Sequence, residues 1–301
     1  MAHLHCQNSN LTDQENAMAT VVTEEPAKYA EATSDVCHLQ IAYCGTHYHG
    51  WQAQKGVPTV QGEIQERLRI LLQAPELELV GTSRTDAGVH ALDQHASFYV
   101  PDRNTLEVSW LKTRLNRWLP ADICIRRITI EGPEFDARFS ARAKAYTYVI
   151  YTGEHPTPFE FPYLWHCPRE LDIGQIREAA ALLEGTHDFR VFSVNPRREV
   201  HSTVRTIFSI EVFQRDQRIY ISVIGDGFLY KMVRSLAGYL VKVGADRDHM
   251  PEETTRVLEM PGRPSFVETA PAKGLFLAHV FFYADEWQTY EPTIPPHFLQ
   301  L

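Results

Sequence analysis

Short stretches of the chain alternate hydrophobic and polar residues, which is the spacing typical of β-strands. In Cys37–Tyr43, the side chains of Leu39, Ile41 and Tyr43 fall on one face. The same pattern, rich in β-branched and aromatic residues, predicts further strands and a hairpin turn at Gln214–Gln217. These further strands are His95–Val100, Ile123–Ile130, Ala145–Tyr151, Ile207–Phe213, Arg218–Ile224 and Ala278–Tyr283.

Other stretches repeat their apolar residues every three or four positions, which predicts amphipathic helices. One of them follows Asp172, a residue type that commonly caps helix N-termini, and is expected to stop at Gly185. The longest is expected to begin at Gly227 and Phe228 and to stop near Gly244. The remaining helical stretches are Val60–Leu71 and Trp110–Leu119.

Runs of adjacent strands between single helices favour an α+β fold with antiparallel pairing over a doubly wound parallel sheet. The elements form two halves, each with strands, a helix, more strands and another helix. A break in composition at Gly132 and Pro133 predicts a boundary between domains at 36–132 and 133–284. Residues 1–35 are acidic and lack periodicity, so we expect a disordered extension there. Residues 285–301 are expected to form an irregular tail.

The composition is that of a globular protein, with 44% hydrophobic and 22% charged residues in a chain of 301. No apolar run approaches the roughly 20 residues that are needed to span a bilayer, and we recognise no signal peptide. The five cysteines are odd in number and include no C-x-x-C pair, which supports neither a zinc site nor a disulfide framework. We therefore expect a cytoplasmic protein without a bound metal.

The net charge of −9 argues against nucleic-acid binding until its distribution is considered. Residues 1–35 carry −5 and residues 284–301 carry −3, which leaves −1 on residues 36–283. Within that central part, Arg103–Trp118 and Arg190–Arg205 each carry +3. Runs of this kind are usually solvated faces, although they also suit RNA phosphates. Charge alone therefore leaves both interpretations open.

The run from Arg84 to Ala91 reads Arg-Thr-Asp-Ala-Gly-Val-His-Ala and places a guanidinium and a carboxylate two residues apart. It lies between the apolar stretches Leu77–Val80 and Ala96–Val100, so we expect Asp86 on a loop that two strands hold. Such a loop can present a carboxylate to a substrate, and a nearby arginine favours the charged form of a carboxylate. An Asp-Gly type of turn with a local ion pair is the alternative interpretation.

Together with its flanks, this run resembles the signature of the tRNA pseudouridine synthase A (TruA) family. Further blocks resemble family motifs in the same order along the chain, from about Leu39 to Tyr283. Two departures are visible, because Cys44 stands where an aspartate is usual and Ser83 where a glycine is common. The matching blocks are Tyr43–Gln54, Thr59–Glu63, Gly81–Gln94, Phe135–Tyr148, Gly185–Phe189, Gly227–Arg234 and Ala270–Leu275.

The resemblance implies two similar α/β domains that share a mainly antiparallel sheet with a central cleft, the pseudouridine synthase fold. It also implies a reaction, without cofactor or metal, in which the C1′–N1 bond of a tRNA uridine breaks and C5 joins C1′. Asp86 matches the family's catalytic aspartate, whose carboxylate could attack the sugar, attack the base or remove a C2′ proton. Four further residues match substrate-binding positions. Arg84 would hold the nucleotide out of the stem, Tyr146 would stack on uracil, Arg234 would pair with Asp86, and Leu275 would line the pocket.

The expected substrate and assembly also follow from the resemblance. It implies action on the anticodon stem-loop of tRNA, commonly at positions 38 to 40, by a homodimer. From the residues themselves, Arg197 and Arg198 are the best candidates for RNA phosphate contacts. They are adjacent on a predicted loop that contains Pro196, and a loop can reach an RNA backbone that a sheet cannot.

Other polar residues in or near the matching blocks invite a catalytic interpretation that we consider weaker. We expect His90, His187 and Asp188 to fix loops through hydrogen bonds. Asp93 follows Asp86 by seven residues, and nothing in the sequence pairs the two carboxylates.

Two other functions account for parts of the sequence. An RNA-binding module that had lost catalysis would keep the basic runs but not the reacting carboxylate and its polar partners, all of which are present. A glycoside hydrolase also attacks an anomeric carbon, but it usually needs two facing carboxylates. Only Asp86 lies in a recognisable site, so we favour the pseudouridine synthase interpretation.

Overall fold

The structure is a computed structural model that describes residues 35–100, 106–194, 202–246, 250 and 252–292. In these residues, ten strands form one sheet and five α-helices pack around it. The strands are β1 Val36–Tyr43, β2 Val80–Gly81, β3 His90–Tyr99, β4 Ile123–Glu131, β5 Ala143–Tyr151, β6 Trp165–His166, β7 Gly185–Asp188, β8 Val204–Arg215, β9 Arg218–Gly225 and β10 Leu275–Phe281. The helices are α1 Val60–Leu71, α2 Val108–Trp118, α3 Ile173–Ala181, α4 Met232–Ala245 and α5 Glu253–Leu258.

The sheet runs in the order β4-β1-β3-β10-β5-β9-β8-β7, with β2 paired to β3 and β6 paired to β5. Pairing is antiparallel except between β10 and β3 and between β5 and β6. The last strand, β10, lies in the middle of the sheet, where Phe276 faces His90 and Leu277 faces Ala91. The predicted α+β class with a mainly antiparallel sheet is therefore confirmed, and the sheet continues from one half of the chain into the other.

A single hydrophobic cluster joins the helices to one face of this sheet. In the first half, Leu39 of β1 is buried in the same cluster as Ile64 of α1 and Leu115 of α2. In the second half, Val223 of β9 and Leu236 of α4 belong to that cluster too. Burying this apolar surface is the main favourable contribution to folding, and it ties both halves into one core.

The C-terminal strap (residues 284–292) packs on side chains of strands β8 and β10. It contains a 3-10 turn at Glu286–Thr289. The ring of Trp287 stacks on Phe208 with centroids 4.6 Å apart, and Tyr290 stacks on His279 at 5.4 Å. The described part of the tail is thus an irregular segment held by aromatic contacts.

Several element ends differ from the sequence-based prediction, each for a local reason. Helix α4 begins at Met232 and not at Phe228, because Lys231 has a φ of 58° in the left-handed region, which a right-handed helix cannot contain. Gly185 does not end a helix but begins β7, four residues after α3 ends. Strand β3 begins at His90 and not at His95. The sequence did not reveal its first half, because buried polar residues there hide the alternation that marks a strand. Among the described residues, no helix is both long and apolar enough to cross a membrane.

Candidate active site

A cleft of about 1510 Å³ opens where the loop between β2 and β3 faces the start of α4. The β2–β3 loop contributes Arg84 and Asp86 to its wall, and β5 contributes Tyr146. Arg234 in the first turn of α4 and Leu275 at the start of β10 complete this set. The structure therefore brings together five residues that the sequence proposed for one site, although they are spread over some 190 positions from residue 84 to residue 275.

Asp86 and Arg234 form an ion pair in the wall of the cleft. The Arg234 Nη1 atom donates to Asp86 Oδ2 at 2.8 Å, and the two side chains are only 13% and 14% exposed. Arg234 is itself oriented, because its Nε donates to the Ala270 carbonyl at 2.8 Å and its own carbonyl accepts from Ala270 N at 3.0 Å. A charge-assisted bond from a fixed guanidinium sets the direction of the carboxylate.

The loop that carries Asp86 is held by hydrogen bonds to buried residues. The Gln94 side chain donates to the Ser83 carbonyl at 2.7 Å and accepts from the Ser83 amide at 3.2 Å. The Tyr43 hydroxyl lies 2.7 Å from Thr85 Oγ1. Since both contacts fall within three residues of Asp86, the carboxylate sits on a rigid support and not on a free loop.

A second loop, residues 44–54, packs behind the first. Trp51 N donates to the Thr85 carbonyl at 3.1 Å, and Gly88 N donates to the Tyr48 carbonyl at 3.3 Å. Gly50 has a φ of 91°, and a Cβ at this position would lie 2.5 Å from the Thr85 oxygen. Only glycine permits this approach, so the block Tyr43–Gln54 in the sequence encodes a support for the Asp86 loop.

Tyr146 and Leu275 give the cleft an apolar surface beside Asp86. The ring of Tyr146 meets Phe228 edge-on, with centroids 5.1 Å apart. Burial, reinforced by the charge of Asp86, raises the pKa of Tyr146 to about 12, so its phenol stays protonated at neutral pH. Tyr148 lies on the same strand but serves the core, because it is fully buried and its hydroxyl donates to the Pro271 carbonyl at 2.6 Å.

The charge of the cleft is opposite in sign to that of the whole chain. Among the described residues that line it, Asp86 is the only acid. The lining cations are Arg84, Arg138, Lys144, Arg205, Lys231 and Arg234. A concave surface of this sign attracts a polyanion in spite of an acidic total charge.

The two arginines proposed for RNA contacts, Arg197 and Arg198, lie outside the described residues. Their described neighbours are informative, because Val194 before them and Arg205 after them both line the cleft. The prediction that they contact phosphate stays a prediction.

The residues that we considered structural make local contacts. His90 accepts from Gly45 N at 3.2 Å, and its other ring nitrogen lies 3.2 Å from the Lys273 carbonyl oxygen. His187 contacts the Glu184 carbonyl at 2.7 Å, while Asp188 pairs with Arg190. Within the described ranges, no group of three or more histidine, cysteine or acidic residues could hold a metal ion.

Sequence reasoning did not single out four residues that line or support the site. Phe228 was assigned to a helix face, whereas Lys144 and Arg138 lay inside a matching block without a role of their own. Gln94 lay at the end of another block, and only its buried contacts with the Asp86 loop show what it does. The sequence did contain an indication of the role of Gln94, namely an unusually polar stretch in the middle of a strand.

Comparison with known proteins shows the family of the chain. A sequence profile described as tRNA pseudouridine synthase matches residues 40–140 and 179–283. The chain is 38% identical over 246 residues to tRNA pseudouridine synthase A 1 of Protochlamydia amoebophila, covering 81% of this chain and 95% of that protein. It is also 38% identical to tRNA pseudouridine synthase A of Methylacidiphilum infernorum (82% and 96% covered) and of Bacillus licheniformis (80% and 97% covered).

The profile matches more than half of the chain, and the relatives are 38% identical over most of each chain. Proteins that share only a fold are usually less similar than this. Pseudouridine synthases are isomerases, so the matches also give the enzyme class. The chain belongs to the tRNA pseudouridine synthase A (TruA) family.

Proposed function

We propose that this protein converts uridine to pseudouridine in the anticodon stem-loop of tRNA, at positions 38 to 40, with Asp86 as the reacting carboxylate. The observation that carries the proposal is the ion pair between Asp86 and Arg234, set in a cleft whose other charged residues are cations. The names of the similar proteins support tRNA as the substrate.

The reaction is an isomerisation, so the composition of the nucleotide is unchanged. The C1′–N1 bond breaks, the uracil turns, and a C5–C1′ bond forms. The proton on C5 is lost and N1 gains one, which needs no oxidant and no imported group. Asp86 is suited to the carboxylate role because it is anchored by Arg234 while its side chain borders the cleft.

The apolar surface of the cleft supports a role in holding the detached base. Tyr146 and Phe228 form an edge-to-face pair, and Leu275 lines the same cleft. A flat pyrimidine can stack on an aromatic ring that keeps its hydroxyl proton. We therefore assign Tyr146 to uracil binding and Leu275 to closing the pocket.

Arg84 has the position of a residue that enters the RNA stem. It is exposed and lines the cleft two residues before Asp86. A paired uridine has to leave its stack before it can reach a carboxylate, at a cost of a few kcal/mol. A guanidinium can fill the vacated space and bind phosphate at the same time, which offsets part of that cost.

We also propose a homodimer, a cytoplasmic location and a domain boundary at residues 132 and 133. The homodimer is carried over from the family resemblance, and the location from the cysteine content. The boundary has support in the sheet, because residues 132–142 lead from edge strand β4 to β5, which lies beyond β10.

The direct experiment is to incubate the purified protein with an unmodified tRNA transcript and to map pseudouridine nucleotide by nucleotide. We expect product at positions 38 to 40 and none in a transcript that carries cytidine there. Product only in the D-arm or the T-arm would contradict the assignment of the anticodon arm. No product in any tRNA would contradict the proposed activity.

A further inference from the structure

Lys144 on β5 carries a partly buried cation that has no acidic partner among the described residues. Its Nζ donates to the Thr82 carbonyl oxygen at 2.9 Å, although an ammonium group has three donors. Two other partly buried cations have carboxylate partners, as the pairs Arg234–Asp86 and Arg218–Glu160 show. Lys144 has none, although it lines the same cleft as Asp86.

The charged side chain that acts on the Lys144 ammonium is Arg138, which has the same sign. Thr82 connects two elements at this point, because its carbonyl accepts from Lys144 and its hydroxyl donates to the Ala137 carbonyl at 2.7 Å. Arg138 follows Ala137, and its backbone N–H is fixed by Asp136 Oδ1 at 2.7 Å. Lys144 and Arg138 are thus held on one wall of the cleft, which both of them line.

Holding the Lys144 ammonium near a second cation costs free energy, because the two like charges repel and because partial burial removes hydration from the ammonium. Burial first, and the charge of Arg138 second, lower the pKa of Lys144 to about 8. Asp86 is the only carboxylate among the other ionisable groups that line the cleft, and Arg234 already binds it. The others are His49, Arg84, Tyr146, Arg205, Tyr230 and Lys231. A bound anion would relieve this arrangement while Lys144 keeps its proton.

We propose that Lys144 and Arg138 bind one backbone phosphodiester of the substrate RNA, beside the nucleotide that faces Asp86. A phosphodiester carries one charge and two free oxygens, so it can accept from an ammonium and a guanidinium together. The inference rests on the proposed function for its ligand. It goes further because it assigns a phosphate contact to two residues that have no role in the proposed function.

The test measures the tRNA affinity of three proteins between pH 6.5 and 9. They are the wild type, Lys144→Arg and Lys144→Met. In the wild type, affinity falls several-fold as the pH rises through 8, since the ammonium loses its proton. Lys144→Arg keeps its charge, so it retains the affinity and loses this pH dependence. Lys144→Met binds about 10-fold more weakly at pH 7, and its log-affinity against log-salt slope is smaller by about one unit.

Two further variants make the result specific to this site. Lys242→Met removes an exposed lysine of α4 that does not line the cleft, and it should bind tRNA with the wild-type pH dependence. Arg138→Ala changes an exposed side chain, so folding is preserved even if Lys144→Met is unstable. It should reduce the salt slope by about one unit and move the pH midpoint upward, because Lys144 loses its like-charged neighbour.

The proposal is overturned if Arg138→Ala, or a folded Lys144→Met, binds tRNA with the wild-type salt slope and pH dependence. Pseudouridine formation by the wild type is measured separately. If the wild type makes pseudouridine but these variants bind normally, only the phosphate site fails. If the wild type binds tRNA and makes no pseudouridine, the proposed function fails while the binding data still decide the phosphate site.

Discussion

Asp86 and Asp93 are seven residues apart in the chain, yet their surroundings are opposite. Asp93 is buried and accepts hydrogen bonds from Gln40 at 2.6 Å, from Val280 N at 3.1 Å and from the rings of His95 and His279 at 3.0 and 2.7 Å. The Asp86 side chain accepts one bond among the described residues, from Arg234, and it borders the cleft.

The difference shows how the same functional group serves structure in one place and chemistry in another. Burial alone would raise the pKa of Asp93, but hydrogen bonds from His279 and His95, the charge of His95 and a bond from Gln40 hold it well below the usual range. Its oxygens are saturated with donors, so it cannot attack or accept a proton at neutral pH. Asp86 is anchored at one oxygen and keeps the other for a substrate.

Replacing Asp86 with Asn should have the largest effect. The nearly isosteric amide keeps the shape of the loop but cannot act as a nucleophile or base. We expect the single-turnover rate to fall by about 10,000-fold or more, while tRNA affinity stays within a few-fold of wild type. Retention of a substantial rate in this variant would remove Asp86 from the reaction.

Replacing Arg234 with Ala should reduce the single-turnover rate by about 100-fold, the size of effect typical for loss of one positioned charged donor. The carboxylate of Asp86 would lose its only described anchor. Arg190→Ala is the matched control, because it breaks an exposed pair with Asp188 in which the arginine is 52% exposed. An equal loss in both variants would show that the Asp86–Arg234 pair has no special role.

Replacing Asp93 with Asn should affect stability more than chemistry. We expect a loss of roughly 2–3 kcal/mol in the free energy of unfolding, since donors that now meet a carboxylate would face an amide. The depressed folded-state pKa means that the Asp93 contribution is present above its unfolded pKa of about 3.8 and is lost as the pH falls below that value. Denaturant titrations from pH 7 to pH 3 would measure this, and the variant should lack that part of the acid-induced loss.

Replacing Arg197 and Arg198 together with Ala should weaken tRNA binding without changing the chemistry at Asp86. The slope of log affinity against log salt should become flatter by about one to two units. Turnover at saturating tRNA should change much less. An unchanged slope would move the RNA path to the other basic run, Arg103–Trp118.

Removing the acidic extension should have the smallest effect. A shortened chain that begins at Ser34 loses most of a segment with a charge of −5, which repels phosphate. We expect wild-type turnover and melting temperature, with slightly tighter tRNA binding at low salt. A fall of several degrees in melting temperature would show that the segment stabilises the fold.

Local patterns predicted much of the architecture. Helix α1 was predicted within its observed bounds because its apolar residues follow the helical period. The structure adds that Thr59 caps it, accepting from Gly62 N. Strand β1 was found for the equivalent reason, since Leu39 and Ile41 are fully buried on one face. Such elements are defined by neighbours in the chain, which a sequence displays directly.

Contacts between distant segments were beyond reach of the sequence patterns. The pairing of Arg234 with Asp86 spans 148 positions and was expected only through the family resemblance. The Asp93 carboxylate receives one of its hydrogen bonds from His279, and the Lys144 ammonium donates to the Thr82 carbonyl. Each of these depends on which strands lie side by side in the sheet, and no local period specifies that order.

The most direct test compares Asp86→Asn and Asp93→Asn in one assay, the yield of pseudouridine per tRNA after a single turnover with excess protein. The temperature is kept below the melting point of both variants. We expect the Asp93 variant to reach close to the wild-type yield and the Asp86 variant to yield no detectable product. Product from Asp86→Asn, or none from folded Asp93→Asn, would contradict the distinction between the two carboxylates.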